Sequence, residues 1–249
     1  MTHLGGTFDQ LLGRLAAERY TIDGLIGTGD FGAVYSARDV VLGRDVAIKV
    51  VPLSPSRSGT SEELLAEARA AAAAGRSAVT VHDVLIHTDG IGIVMELIRG
   101  GNLAASVQYR ASPAQGLRYA TSAAVGLAEV HEAGVLHLDL HPGNLLVRDD
   151  DTIAIGDFGL AQLARSSGLS RGAHEILWSA PELLQYGVAS AQADIYALGL
   201  ILGWLSRRTG LESTGIVDRS TQADPRNRYS STHEMVDDLS KLKLGVELA

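Results

Sequence analysis

Asp139, Asn144 and Asp157 follow one another at intervals of five and thirteen residues, inside His137-Leu138-Asp139-Leu140-His141-Pro142-Gly143-Asn144 and Asp157-Phe158-Gly159. A carboxylate, an amide and a second carboxylate at this spacing suit phosphoryl transfer. Asp139 can take a proton from an attacking hydroxyl, while Asn144 and Asp157 offer hard oxygen atoms to a Mg²⁺ ion that neutralises the phosphates of ATP. Such a centre needs no covalent enzyme intermediate. His137 is expected to pack as structural support for the loop. Asp149, Asp150 and Asp151, in the turn between the two motifs, read as a solvated charge run without a metal.

Two motifs upstream fit the same chemistry. Gly27-Thr28-Gly29-Asp30-Phe31-Gly32-Ala33-Val34 lets backbone amides come close to phosphate oxygens, because glycine has no Cβ and tolerates unusual dihedrals. A dinucleotide-binding fold uses the same glycine spacing but continues into a helix, whereas Ala33-Val34-Tyr35-Ser36-Ala37 reads as a strand. Lys49, in Val46-Ala47-Ile48-Lys49, lies seventeen residues after Gly32 and can bring a cation to the α and β phosphates. Glu67 on the following helix can pair with it, with Glu63 one turn earlier as the competing partner.

Taken together these motifs resemble bacterial-type Ser/Thr protein kinases, over about Tyr20 to Leu244. Ser179-Ala180-Pro181-Glu182 resembles the signature that ends the activation segment, Arg228 stands where an Arg pairs that Glu, and Asp194 matches the helix acid that anchors the catalytic loop. The resemblance implies a bilobal α+β fold that transfers the γ-phosphate of MgATP to Ser or Thr of a protein substrate. It also implies Asp139 as base, Asn144 and Asp157 on Mg²⁺, Lys49 held by Glu67, and a phosphate loop at Gly27, Gly29 and Gly32. Val34, Ala47 and Leu146 would sandwich the adenine, Met95 would guard the pocket behind it, and backbone groups of Glu96 and Leu97 would meet the adenine edge.

The sequence departs from the family in four places. Leu138 replaces an Arg that pairs with a phosphate on the activation segment, so no strict phosphorylation switch is expected. His141 replaces a Lys that contacts the γ-phosphate, and Glu175 replaces a Thr that bridges that Lys to the base; a His141–Glu175 contact could stand in for the missing pair. Only about eighteen residues separate Thr209-Gly210 from Arg228, so the helical lobe is shortened and leaves room for a regulatory partner protein. Asp-Leu-His-Pro-Gly-Asn is also how the loop reads in small-molecule hydroxyl kinases such as aminoglycoside and choline kinases. That class, and an ATP-binding pseudokinase scaffold, are the rival readings.

The elements that must position these residues form three blocks. In residues 1–19, Phe8, Leu11, Leu12 and Leu15 recur at helical spacing, an amphipathic arm that can pack on the domain behind it. Residues 20–99 read as a small β-rich lobe, with strands at Tyr20–Ile26, Ala33–Asp39, Arg44–Val51, Thr80–Ile86 and Ile91–Leu97 and one helix from Ser61 to about Ala74. After the hinge Gly100-Gly101, residues 100–249 read as mostly helical, over Leu103–Val107, Pro113–Ala133, Pro181–Leu205 and Ser231–Leu244.

At 249 residues and 46% hydrophobic content the chain can bury a substantial core, and its net charge of -8 argues against an electrostatic grip on nucleic acid or anionic lipid. With no cysteine there is neither a disulfide nor a thiolate nucleophile. The longest apolar run, Ile195 to Leu205, is too short to span a bilayer, and Met1-Thr2-His3 does not open a secretory signal, so a cytoplasmic location is expected.

Overall fold

The computed structural model describes residues 10–13, 16, 18–29, 32–52, 69, 72–108, 111–158 and 176–246. Five antiparallel strands make one sheet: β1 (Tyr20–Gly29), β2 (Gly32–Asp39), β3 (Arg44–Pro52), β4 (Val81–His87) and β5 (Gly90–Glu96), in the spatial order β1-β2-β3-β5-β4. β3 is central and buried on both faces, which explains its nearly unbroken Val/Ile run.

The register divides the sheet into two faces with different work. Ala33, Tyr35, Ala37, Val46, Ile48, Val50 and Val94 share one face, where Leu11, Leu12 and Ala16 complete an apolar cluster. Gln10–Gly13 and Ala16 are helical, and they cover this outer face as the amphipathic spacing anticipates; Phe8 and Leu15 lie outside the described residues. Packing is tight, since a Cβ on Gly90 would come within 2.4 Å of Leu11 Cδ2. On the opposite face Val34 pairs with Lys49, and Ala47 with Met95. That face looks into the cleft.

The larger part is helical, with α1 (Leu103–Ser106), α2 (Pro113–Glu132), α3 (Pro181–Tyr186), α4 (Ala191–Thr209), α5 (Thr214–Ser220) and α6 (Thr232–Val246). α2 starts where the Ser112 side chain accepts from Gln115 N–H and Pro113 takes the first turn. The helix anticipated from Pro181 to Leu205 is two helices. Gly187 turns left-handed at φ 67° and ends α3, and the Ser190 side chain then caps α4 through Ala193 N–H. Between Thr209 and Arg228 stand α5 and a 3-10 turn at Pro225–Asn227.

A short hairpin, β6 (Leu145–Val147) with β7 (Ile153–Ile155), was not anticipated from sequence, because three residues per strand are too few for a period. Its turn is not fully solvated either: Asp151 accepts from Arg118 Nη2 and from Tyr119 OH, both at 3.1 Å. Among the described residues no helix is long and apolar enough to cross a membrane.

Candidate functional site

Pairing within the β6–β7 hairpin explains how residues thirteen apart come together. Leu145 lies opposite Ile155, and Gly156 N–H donates to the Asn144 carbonyl at 2.9 Å, so Asn144 and Asp157 flank the open end of one two-stranded ladder. A second support comes from Ser77 to Val79: Ile155 N–H donates to Ser77 O at 2.7 Å and Val79 N–H to Ile155 O at 2.8 Å. This lacing escaped the sequence reading, since single backbone bridges leave no residue pattern.

The loop bearing Asp139 is held from below. Asp194, 1% exposed on α4, accepts from His137 N–H at 2.9 Å and Leu138 N–H at 2.6 Å, and lies 3.0 Å from His131 Nε2. This grip holds Leu138 at φ 62°, a left-handed conformation that a branched side chain adopts only when its surroundings impose it. The Leu138 side chain is buried with Ala180, Leu183 and Ala193. An apolar side chain therefore packs where the family has a cation.

His137 works as the anticipated support. It is 1% exposed, and its Nε2 and the Gly156 carbonyl are 2.9 Å apart; Asp139 N–H reaches its Nδ1 at 3.3 Å. Burial pushes its imidazole below the ordinary histidine range despite the nearby carboxylate of Asp194, so the ring is neutral and Nε2–H is the donor. Its ring packs against Phe158 with centroids 5.1 Å apart. The two motifs are thus one packed unit.

Four sequence-identified residues converge. Asn144 Nδ2 donates to the Asp139 carbonyl at 2.9 Å, which turns the other end of the amide, an acceptor oxygen, away from that bond. Lys49 Nζ donates to Asp157 Oδ1 at 2.7 Å, joining sheet to hairpin. Burial would raise the Asp157 carboxyl, but the charge and hydrogen bond of Lys49 outweigh it and hold it below the usual carboxylate range. Asp157 sits at φ 57°, the second left-handed position of the site. His141 Nδ1 accepts from Gly143 N–H at 3.0 Å, which places the imidazole proton on Nε2. A Cβ on Gly143 would come within 2.7 Å of this ring, so the glycine makes room for it.

The residues expected around the base lie on the inner sheet face, which Lys49 joins to Asp157, and on β6. Val34 and Met95 are half-buried, Ala47 is buried, and Leu146 on β6 is half-buried. The Glu96 N–H is committed to the Thr80 carbonyl at 2.9 Å, so the Glu96 carbonyl is the backbone group of that residue to consider for a base edge. Leu97 is half-buried next to it. In the glycine loop the residues have different reasons. A Cβ on Gly32 would strike the Val50 carbonyl at 2.3 Å, so that glycine is required by strand packing, whereas a Cβ on Gly27 would meet open space. Gly29 pairs with Gly32 at the end of the β1–β2 ladder. Asp30, Phe31, Glu63, Glu67, Gly159 and Glu175 lie outside the described residues, and with them the Lys49–Glu67 and His141–Glu175 pairs.

Farther from the cleft, Glu182 and Arg228 form the anticipated pair. Arg228 Nη1 and Nη2 donate to the two carboxylate oxygens at 2.7 and 2.9 Å, with the Arg side chain 0% exposed.

Residues 20–237 match the protein kinase domain family. Among curated relatives, the chain is 28% identical to a probable serine/threonine-protein kinase of Clostridium acetobutylicum, over 94% of this chain and 41% of the relative. It is 35% identical to another from Bifidobacterium longum (75% of this chain, 26% of the relative) and 35% identical to the serine/threonine-protein kinase PknL of Mycobacterium tuberculosis (79% and 51%). The chain thus spans about half or less of the length of these relatives. With its motifs brought together by the fold, this chain belongs to the protein kinase domain family, and its type is that of the bacterial Ser/Thr kinases.

Proposed function

We propose that the chain transfers the γ-phosphate of MgATP to Ser or Thr hydroxyls of a protein substrate. The observation that carries this reading is the convergence of Lys49, Asp157, Asn144 and Asp139 across the cleft, joined by bonds of 2.7 and 2.9 Å. The donor set fits Mg²⁺: an ionised carboxylate on Asp157 and a neutral amide oxygen on Asn144 are hard oxygen ligands. The cleft fits a nucleotide, with an open approach at Gly27, the Gly32 turn, and apolar walls from Val34, Ala47, Met95 and Leu146.

MgATP, when bound, supplies an electrophilic phosphoryl group whose charge is already partly neutralised. The residues of the chain do the rest. Asp139 orients the attacking hydroxyl and takes its proton; Asn144 and Asp157 hold the metal; Lys49, positioned by Glu67, meets the phosphates. The Glu96 carbonyl and Leu97 receive the base edge. His141 presents a neutral Nε2–H donor where an ammonium would be stronger, so transfer is slower than Lys at this position would give. The buried Leu138 offers no cation to a phosphorylated segment, which supports activity without a strict phosphorylation switch. A regulatory partner protein at the surface around α5, and a cytoplasmic setting, belong to the same reading.

One assay tests it. The chain and its Asp139→Asn variant are incubated with labelled MgATP, a generic protein acceptor and a panel of small hydroxyl compounds. Label on protein that disappears in the variant is the expected result; label on a small molecule alone, or nucleotide binding without turnover, overturns it. The rival reading as a small-molecule kinase draws on the neutral His141 donor, while the Glu182–Arg228 pair favours a protein acceptor.

A further inference from the structure

Glu96 ends β5, where the chain leaves the sheet and crosses to the helical part through residues 97–101. Both ends of this crossing are fastened to two consecutive residues of the hairpin. At one end Val147 N–H donates to the Gly101 carbonyl at 2.9 Å, with Gly100 so close that a Cβ would lie 2.2 Å from Val147 O. At the other, Arg148 Nη2 donates to Glu96 Oε1 at 2.7 Å and approaches the carbonyls of Arg76 and Ala78 at 3.3 Å each. Glu96 is further tied to Thr80, whose N–H it accepts at 2.8 Å.

We infer that Arg148 is a positioning residue that clamps the crossing to the β6–β7 hairpin and so sets the spacing between the inner sheet face and the Asn144–Asp157 pair. The argument is geometric. Arg148 follows directly on β6, whose other end adjoins Asn144, so a force on Glu96 is transmitted to the metal-ligand pair along three residues of ladder. The side chains of Arg148 and Glu96 are 23% and 25% exposed, enough burial for a charge-assisted bond to outweigh the entropy of holding it. Burial would raise the Glu96 carboxyl, but the Arg148 bond and the Thr80 N–H keep it below the usual range, hence ionised and competent to receive the guanidinium. All three acceptors, on Arg76, Ala78 and Glu96, converge on the one nitrogen Nη2, so its two N–H groups are shared among them and the shortest bond goes to Glu96.

The inference rests on the reading of the cleft as a nucleotide site, and the experiment separates the two. Arg148→Ala, Arg148→Lys, Glu96→Gln and the Arg148→Ala/Glu96→Gln double variant are compared with the parent chain. MgATP affinity is measured by calorimetry, KM and kcat by transfer, and exchange at the Thr80 and Glu96 amides by mass spectrometry. Arg148→Ala is expected to weaken MgATP binding and raise KM roughly tenfold with kcat within about threefold, to speed amide exchange, and to make Glu96→Gln almost silent in the double variant. Arg148→Lys is expected to recover only part of the affinity, and with Glu96→Gln it carries the test if Arg148→Ala does not fold. Unchanged affinity and exchange in these variants, with the parent chain binding MgATP, overturns the clamp. Faster exchange in Arg148→Ala with a parent chain that binds no MgATP supports the clamp and overturns the nucleotide reading.

Discussion

The five-stranded sheet and the stretch from His137 to Asp157 carry half of the site each, yet they are built in opposite ways. The sheet presents Lys49, Ala47, Val34 and Met95 because strand alternation leaves them no other face, and the buried face opposite is filled by Ile48, Val50, Tyr35 and the N-terminal Leu11 and Leu12. The loop region has little regular structure. It is shaped by polar contacts reaching across the chain: Asp194 on two backbone N–H groups, His137 on the Gly156 carbonyl, Asn144 on the Asp139 carbonyl. It also holds Leu138 and Asp157 in left-handed conformations. A site half made by periodicity and half by long-range polar contacts should fail differently when each half is damaged.

The largest effect is expected where the halves meet. Lys49→Met should lower transfer by about 10²–10³-fold with the protein still folded, read from kcat at saturating MgATP. The same variant tests the sign of the Asp157 shift. The folded-state value of Asp157 is depressed, so the pair stabilises the protein above the unfolded carboxylate value of about 4 and that stabilisation is lost as pH falls. The difference in melting temperature between parent and Lys49→Met should therefore be greatest above about pH 4 and shrink below it. A difference that grows on acidification would reverse the assignment.

Breaking one partner of a buried pair in the helical part comes next. Arg228→Ala leaves Glu182 buried and uncompensated, and should lower unfolding stability by about 3–5 kcal/mol in urea titration. Asp194→Asn should cost less, about 2–3 kcal/mol, since a neutral oxygen still accepts one backbone bond; it should also slow transfer, because the loop under Asp139 loosens. An Asp194→Asn variant with full activity would mean that the loop holds its own shape. On the sheet, Ile48→Val should cost about 1 kcal/mol and leave KM for ATP unchanged, since Ile48 lies on the outer face.

Last comes a pair of glycine changes, of which Gly27→Ala is the smallest in stability. Gly32→Ala should destabilise by pushing a Cβ into the Val50 carbonyl, whereas Gly27→Ala should leave the melting temperature within about 1 °C and act, if the loop receives phosphates, on KM for ATP alone. Equal loss of stability in both would remove the distinction between a packing glycine and a ligand-facing one.

Much of this was legible in the residues. The strands differ from their sequence-based limits by only a few residues at their ends, because alternation and the glycine turns leave few choices, and Asp139, Asn144, Asp157 and Lys49 were identified before any geometry. The β6–β7 hairpin was not legible, since two three-residue strands show no period, and neither was the break at Gly187, where one apolar pattern runs through a left-handed cap. Arg148 could not be distinguished from any exposed arginine until Glu96 and Thr80 were placed beside it.

Sequence alone determined the family and the sheet and singled out the side chains proposed for the proton, the metal and the phosphates, because those depend on residue chemistry and short-range period. Tertiary structure decided how they act together. It brought Lys49 to 2.7 Å from Asp157, placed the His141 proton on Nε2 through the Gly143 N–H, assigned Gly32 to packing and Gly27 to the open cleft, and committed the Glu96 N–H to Thr80. Each of these is a contact between segments far apart in sequence or a local bond in an irregular loop, and such contacts are set by packing that no local pattern encodes.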